Sequence, residues 1–111
     1  MIDAKEAKWQ KMFNRMDPLT QQEVQENMSK LFEAFNEMSN AIICSGNTEA
    51  VCHVSLMGDC MEKCVNRFGE ICVDKGWGLK VNRLEDGRLG PSMVFDSSGL
   101  LIWELRLVLK Y

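Results

Sequence analysis

The sequence predicts one α+β domain, in which N-terminal helices including an αα-hairpin are followed by a three-stranded antiparallel β-meander. Two observations predict this class. Up to about residue 75, apolar residues recur at steps of three and four, as on one face of a helix. From residue 76 onward they alternate with other residues, as in strands. A chain of 111 residues has room for one core, so we expect a single domain over 1–111, with a helical part over 1–75 and a β-meander over 76–111, in the order α-α-α-β-β-β.

Three helices are predicted in the helical part. The first covers 2–16 and ends at Asp17, because proline at position 18 disfavours helical backbone in the residue before it. The second runs over about 20–44, where apolar residues follow each other at alternating steps of four and three. The third covers about 48–75 with a similar apolar stripe. The second and third helices should therefore pack as the αα-hairpin.

Three strands are predicted after Gly76. The first begins at Trp77, a short second strand covers Ser92–Phe95, and the last runs to the end of the chain. In the last strand the apolar residues of one face are Leu101, Trp103, Leu105, Leu107, Leu109 and Tyr111. The opposite face carries Leu100, Ile102 and Val108 among charged residues, so we expect that face to be partly exposed.

The charges indicate a protein partner rather than a nucleic acid. The formal net charge is −3 and the isoelectric point is near 5.1, whereas proteins that neutralise phosphates are usually basic. The distribution is uneven. Residues 1–16 carry four basic residues against two acidic ones, and residues 17–50 carry six acids against Lys30 alone.

The chain has neither an apolar run of the roughly 18 residues that a membrane span needs nor the apolar core of a signal peptide. We therefore expect no membrane association and a cytoplasmic location. In that reducing compartment the five cysteines are better interpreted as buried free thiols than as disulfides. They are Cys44, Cys52, Cys60, Cys64 and Cys72.

A metal site is the alternative interpretation of Cys60, Cys64 and His53. On the predicted third helix the two cysteines are one turn apart and could share a metal, but His53 would lie about 10 Å from Cys60. Further ligands would have to come from elsewhere in the fold. We therefore expect no metal and no cofactor, and we interpret these thiols as small core residues.

Catalysis is not indicated by any motif. The single histidine, His53, would have to serve as the base for any cysteine nucleophile, and no local catalytic signature surrounds a cysteine. The sequence also lacks a phosphate-binding glycine loop and a nucleophile elbow. We expect a protein that is not an enzyme.

The preferred hypothesis is a small cytosolic interaction module that binds and regulates or inhibits a protein partner. By analogy only, small acidic domains of this build occur among inhibitors, immunity proteins and phage or mobile-element accessory proteins. The alternative is a small-molecule or metal sensor with a pocket between the helices and the sheet.

Two candidate docking surfaces and one route to self-association follow from the predicted elements. The first helix combines an aromatic residue with basic ones, and the last strand has a partly apolar second face. The candidate residues are Trp9, Lys5, Lys8, Arg15, Leu100, Ile102 and Val108. We also expect the last strand to lie at a sheet edge, where its free backbone groups would favour a homodimer.

Overall fold

Three helices and three strands make up the part of the chain that the computed structural model describes, residues 2–84 and 101–109. The elements follow in the order α1 (Ala4–Asn14), α2 (Pro18–Ile43), β1 (Glu49–Leu56), α3 (Met61–Asp74), β2 (Trp77–Leu84) and β3 (Leu101–Leu109). Among these residues, no helix is both long enough and apolar enough to cross a membrane.

The strands form one antiparallel sheet in the order β1-β3-β2. Because β1 and β2 both run antiparallel to β3, they are parallel to each other and β3 lies between them. The register places Cys52 of β1 and Val81 of β2 on either side of Leu105. Helix α3 connects the two outer strands and crosses over the central one.

The structure confirms the α+β class and the three-stranded antiparallel sheet, but the predicted order of elements was wrong. Residues 49–56 form a strand, so the order is α-α-β-α-β-β, and β1 separates the two helices of the predicted αα-hairpin. The described sheet is consequently not a meander confined to 76–111. The short strand predicted at Ser92–Phe95 lies outside the described residues.

Two local features explain why a helix over 48–75 does not form. Every second residue of this segment packs against the core, namely Ala50, Cys52 and Val54, and the residues between them face outward. This alternation has the period of a strand. Gly58 then takes a φ of 80°, a backbone conformation that ends any regular helix. Helix α3 begins only after this glycine, at Met61.

The core lies between one face of the sheet and helices α2 and α3. On β3 the alternation predicted from the sequence is confirmed by the burial of Trp103, Leu105 and Leu107. The other buried apolar residues are Val24, Leu31, Ala34, Met38, Ile42, Leu56, Cys64, Val65, Phe68 and Cys72. The fold therefore has two layers, and nothing in the described part of the chain covers the second face of the sheet.

Strand β3 is the central strand, which overturns the argument for self-association through its edge. Both sides of β3 are paired over its described length, with β1 on one side and β2 on the other. The final strand therefore has no free row of backbone groups between Leu101 and Leu109. The homodimer itself stays a prediction.

A buried amide joins α2 to the connection between β1 and α3. The Asn27 side chain is fully buried, and its Nδ2 donates to the carbonyl oxygen of Met57 at 2.8 Å. Its Oδ1 accepts from the Met57 backbone N–H at 3.0 Å. Nδ2 also lies 3.9 Å from the Cys64 sulfur. One side chain thus satisfies both backbone groups of Met57 and holds the end of β1 against α2.

We predict that Asn27→Ala lowers the free energy of unfolding by about 2–4 kcal/mol, because both polar backbone groups of Met57 lose their partner inside the protein. Urea unfolding followed by circular dichroism measures the change. Asn36→Ala is the matched control, since Asn36 lies exposed on the same helix. Equal stability of the two variants would show that the Asn27 amide is not needed.

Candidate protein-binding groove

Helix α1 lies on the surface of the domain and is held there by half-buried side chains. Its N-terminus is capped by Asp3, whose carboxylate accepts from the Glu6 backbone N–H at 2.8 Å. The helix contributes no fully buried residue, but Trp9 and Phe13 pack against the core. An isolated helix of 11 residues is marginal in water, so these contacts determine where α1 lies.

Polar contacts anchor α1 on α3. Glu6 forms an ion pair with Arg67 of α3, whose side chain is only 7% exposed. Lys5 lies 3.4 Å from Asp74 at the end of α3. A buried guanidinium is costly unless it is paired, so the Glu6 carboxylate is the stronger of these two restraints on α1.

A basic groove of about 630 Å³ lies between α1 and α3. We call it the α1–α3 groove. It contains six cationic side chains and one acidic one, together with the indole of Trp9. Its lining residues are Lys5, Lys8, Trp9, Lys11, Met12, Arg15, Lys63, Asn66, Arg67 and Glu70.

Most of the positive charge in the α1–α3 groove has no partner among the described residues. Lys5 and Arg67 form ion pairs, whereas the structure shows none to a described residue for Lys8, Lys11, Arg15 or Lys63. These four side chains are exposed to solvent. The groove is therefore an electropositive surface with an aromatic residue in it, which suits a ligand that is both acidic and partly apolar.

The structure brings together the first group of predicted docking residues, Lys5, Lys8, Trp9 and Arg15. The residues that α3 contributes were not predicted from the sequence. Lys63 and Arg67 are four positions apart on one face of a helix, which was a visible signal, but nothing in the sequence showed that this face meets α1. The additional lining residues are Lys11, Met12, Lys63, Asn66, Arg67 and Glu70.

The second group of predicted docking residues is Leu100, Ile102 and Val108. Leu100 is outside the described residues. Ile102 belongs to β3 and pairs with Ser55 of β1 through the sheet register. Val108 is half-buried on the sheet face that points away from the helices, opposite Glu49. Val108 therefore does not line the α1–α3 groove.

The residues of the alternative metal site are not brought together. Cys64 is fully buried, whereas His53 is exposed on the outer sheet face, where its Nε2 lies 3.5 Å from Glu104. The distance estimated from the sequence assumed a helix, but position 53 lies on β1. Within 2–84 and 101–109 no three His, Cys, Asp or Glu side chains are placed to hold a metal ion.

The cysteines fall into a buried and an accessible group. Burial raises the pKa of both Cys64 and Cys72 to about 11, so their thiols are protonated at neutral pH and are poor nucleophiles. Cys44 is exposed, and Cys52 and Cys60 are half-buried. The expectation of buried free thiols is therefore correct for Cys64 and Cys72 and wrong for Cys44.

The comparisons with known proteins give no match. No family model fits the sequence, and no curated protein and no solved structure is significantly similar to it.

We predict that iodoacetamide at pH 8 modifies Cys44 rapidly in the folded protein and leaves Cys64 and Cys72 unmodified. At that pH only about one in a thousand thiols with a pKa near 11 is ionised, and both side chains are also shielded from the reagent. Mass spectrometry of digested protein measures each site, and labelling in urea is the control. Fast labelling of Cys64 without urea would contradict the packing of α3.

Proposed function

We propose that this chain is a non-catalytic interaction module that binds an acidic, partly apolar segment of another protein in the α1–α3 groove and thereby regulates or inhibits that protein. The observation that carries the proposal is the cluster of Lys8, Lys11, Arg15 and Lys63, without ion pairs to described residues, around Trp9.

The dimensions of the groove favour a short segment. Helix α1 has 11 residues and is therefore about 16 Å long. That length matches three turns of a bound helix or about five residues of extended chain. A volume of about 630 Å³ holds several side chains, which is the range of typical ligand pockets.

Trp9 is the best candidate for the anchor of the interface. Tryptophan is among the residues that most often dominate binding energy, because a large ring loses water on contact while its N–H can still donate. Trp9 is half-buried against the core, so the ring is held in place before a partner arrives. The surrounding lysines would steer an acidic segment towards it.

The overall charge supports a protein segment over a nucleic acid as the partner. A long polyanion would approach the whole molecule, whose net charge is −3 and whose residues 17–50 carry six acids. A short acidic segment meets only the groove, since charges separated by more than about 10 Å are screened at physiological salt. The five free thiols support a reducing compartment, so we place the interaction in the cytosol.

We predict that Trp9→Ala weakens binding to a twelve-residue probe peptide of alternating Glu and Leu by about 30-fold, as the loss of an interface anchor does. Fluorescence anisotropy of the labelled peptide measures binding, and calorimetry measures the melting temperature. If Trp9 has a docking role, the variant should bind the peptide more weakly while its melting temperature changes little. If Trp9 serves the core alone, the variant will melt far earlier, with a stability loss of about 3–5 kcal/mol, and the proposal fails.

Charge reversal provides the matched control for the same measurement. Lys8→Glu lies in the α1–α3 groove and should weaken binding, whereas Lys80→Glu lies on β2, outside the groove, and should leave it unchanged. Equal effects of the two variants would indicate attraction to the whole molecule instead of a site.

A further inference from the structure

Strand β1 forms an edge of the sheet. One side of β1 pairs with β3, and no described residue pairs with its other side.

The pairing shows which backbone groups of β1 point outward. The Thr48 carbonyl accepts from the Leu109 N–H at 2.8 Å, so Thr48 belongs to the hydrogen-bonded set of residues. In an antiparallel ladder this set alternates with residues whose N–H and C=O point away from the neighbouring strand. The outward set on β1 is Glu49, Val51, His53 and Ser55.

An independent contact confirms this alternation. Lys30 of α2 donates from Nζ to the Ser55 carbonyl oxygen at 3.0 Å. That carbonyl must therefore point away from β3, as the register requires. Lys30 occupies one outward acceptor, and the Cys52 thiol makes a weak contact of 3.8 Å with the His53 carbonyl oxygen. No strand in the described part of the chain pairs with the outward groups of Glu49, Val51 and His53.

A groove of about 240 Å³ runs between this edge and α2. We call it the α2–β1 groove. Its lining residues are Lys30, Glu33, Ala34, Glu37, Cys52, His53, Val54 and Ser55. Ala34 is small and buried, so it leaves room beside the strand. A helix that flanks an open strand edge is an arrangement that accepts an added strand, with main-chain hydrogen bonds on one side and a side-chain pocket on the other.

The charge in the α2–β1 groove is opposite to that of the α1–α3 groove. Glu33 and Glu37 are both exposed and extend from α2. Cys52 donates from Sγ to Glu37 Oε2 at 3.6 Å. Burial raises the pKa of Cys52, and the nearby Glu37 carboxylate raises it further, so the thiol adds no charge of its own. Lys30 keeps its positive charge while it donates to Ser55, but Glu33 and Glu37 outnumber it, so these three side chains leave the groove acidic.

We propose that the α2–β1 groove is a second docking site, which binds an extended segment of a partner protein carrying Lys or Arg at alternate positions and adds it as a fourth strand beside β1. The backbone of the segment pairs with the outward groups of Val51 and His53. Its basic side chains on one face meet Glu33 and Glu37. This site uses different elements from the α1–α3 groove and does not depend on it.

A second copy of this chain fits the edge less well. Pairing of two β1 strands around a two-fold axis would bring two α2 helices alongside the shared edge, and each carries Glu33 and Glu37. Like charges brought together at an interface are unfavourable. A basic segment would neutralise these carboxylates, whereas a second α2 helix would add further negative charge.

Val51→Pro tests the proposal. Proline at position 51 removes an N–H that points away from β3, and prolines are tolerated at such positions of edge strands. Val51→Thr keeps the N–H and is the matched control. The probe is a nine-residue peptide of alternating Lys and Val, with a Glu–Val peptide of the same length for comparison. We expect the Lys–Val peptide to bind the Thr variant like the parent and to bind the Pro variant at least about tenfold more weakly.

Two further variants separate the site from the α1–α3 groove. Glu33→Gln combined with Glu37→Gln should weaken binding of the Lys–Val peptide, whereas Trp9→Ala should leave it unchanged. If the Trp9 experiment with the Glu–Leu peptide fails, the proposal for the α2–β1 groove is unaffected. If the experiments with the Lys–Val peptide fail, the proposal for the α1–α3 groove is unaffected. Loss of Lys–Val binding in Trp9→Ala would contradict a separate site.

Amide hydrogen exchange of the unaltered protein gives a readout that needs no variant. Bound Lys–Val peptide should slow exchange at the outward amides of Val51 and His53, while the amides of Ala50 and Cys52 are slow with or without peptide. Unchanged exchange at Val51 and His53 in saturating peptide would overturn the proposal. Equal binding of the Glu–Val peptide would also overturn the proposal. So would a dimer of the free chain that Val51→Pro dissociates, since such a dimer would assign the edge of β1 to a second copy of the chain.

Discussion

The hydrogen bonds between the Asn27 amide and the backbone of Met57 are the constraint on which the remaining structure depends. They hold α2 at the point where the chain leaves β1 and turns towards α3. Gly58 makes that turn with a positive φ, and the Glu23 side chain lies so close that a Cβ at Gly58 would meet it at 2.9 Å. The position of α3 therefore follows from one buried polar contact and one glycine.

The α1–α3 groove depends indirectly on the same hydrogen bonds between Asn27 and Met57. Once α3 is placed, Arg67 lies beneath the surface of the domain, and the Glu6 carboxylate compensates its buried charge. This pair positions α1, which brings the lysines of α1 next to Lys63. The buried Asn27 amide thus fixes a surface groove whose α3 residues lie more than thirty positions further along the chain. Changes that loosen the turn at Gly58 should disturb the groove even though none of them touches it.

The two grooves give the domain surfaces of opposite charge, which the net charge of −3 conceals. The basic residues of the α1–α3 groove come from α1, from Arg15 at its C-terminal cap and from one face of α3, whereas Glu33 and Glu37 of α2 line the groove at the edge of the sheet. An interaction module with two such surfaces can engage two segments of one partner, and the second contact then gains from the high effective concentration set by the first. Weak contacts at each groove would suffice for a stable complex.

The sequence predicted the class of the fold, helix α2, the buried face of β3 and four of the ten residues that line the α1–α3 groove, because these depend on local periodicity and charge. It failed at residues 49–56, where Val54 fits both a strand and the helical stripe that continues to Met57 and Met61. Gly58 was the signal that should have ended the helix. The central position of β3 and the meeting of α1 with α3 come from pairing and packing between distant segments, which local patterns do not encode.

The most direct test of the α1–α3 groove is a chemical-shift map of the ¹⁵N-labelled protein titrated with the Glu–Leu peptide. The account predicts that the largest changes fall on α1, on residues 63–70 and on the indole N–H of Trp9, and that added salt reduces them. Changes spread evenly over the surface, or a Trp9 indole signal that does not move at saturation, would contradict it.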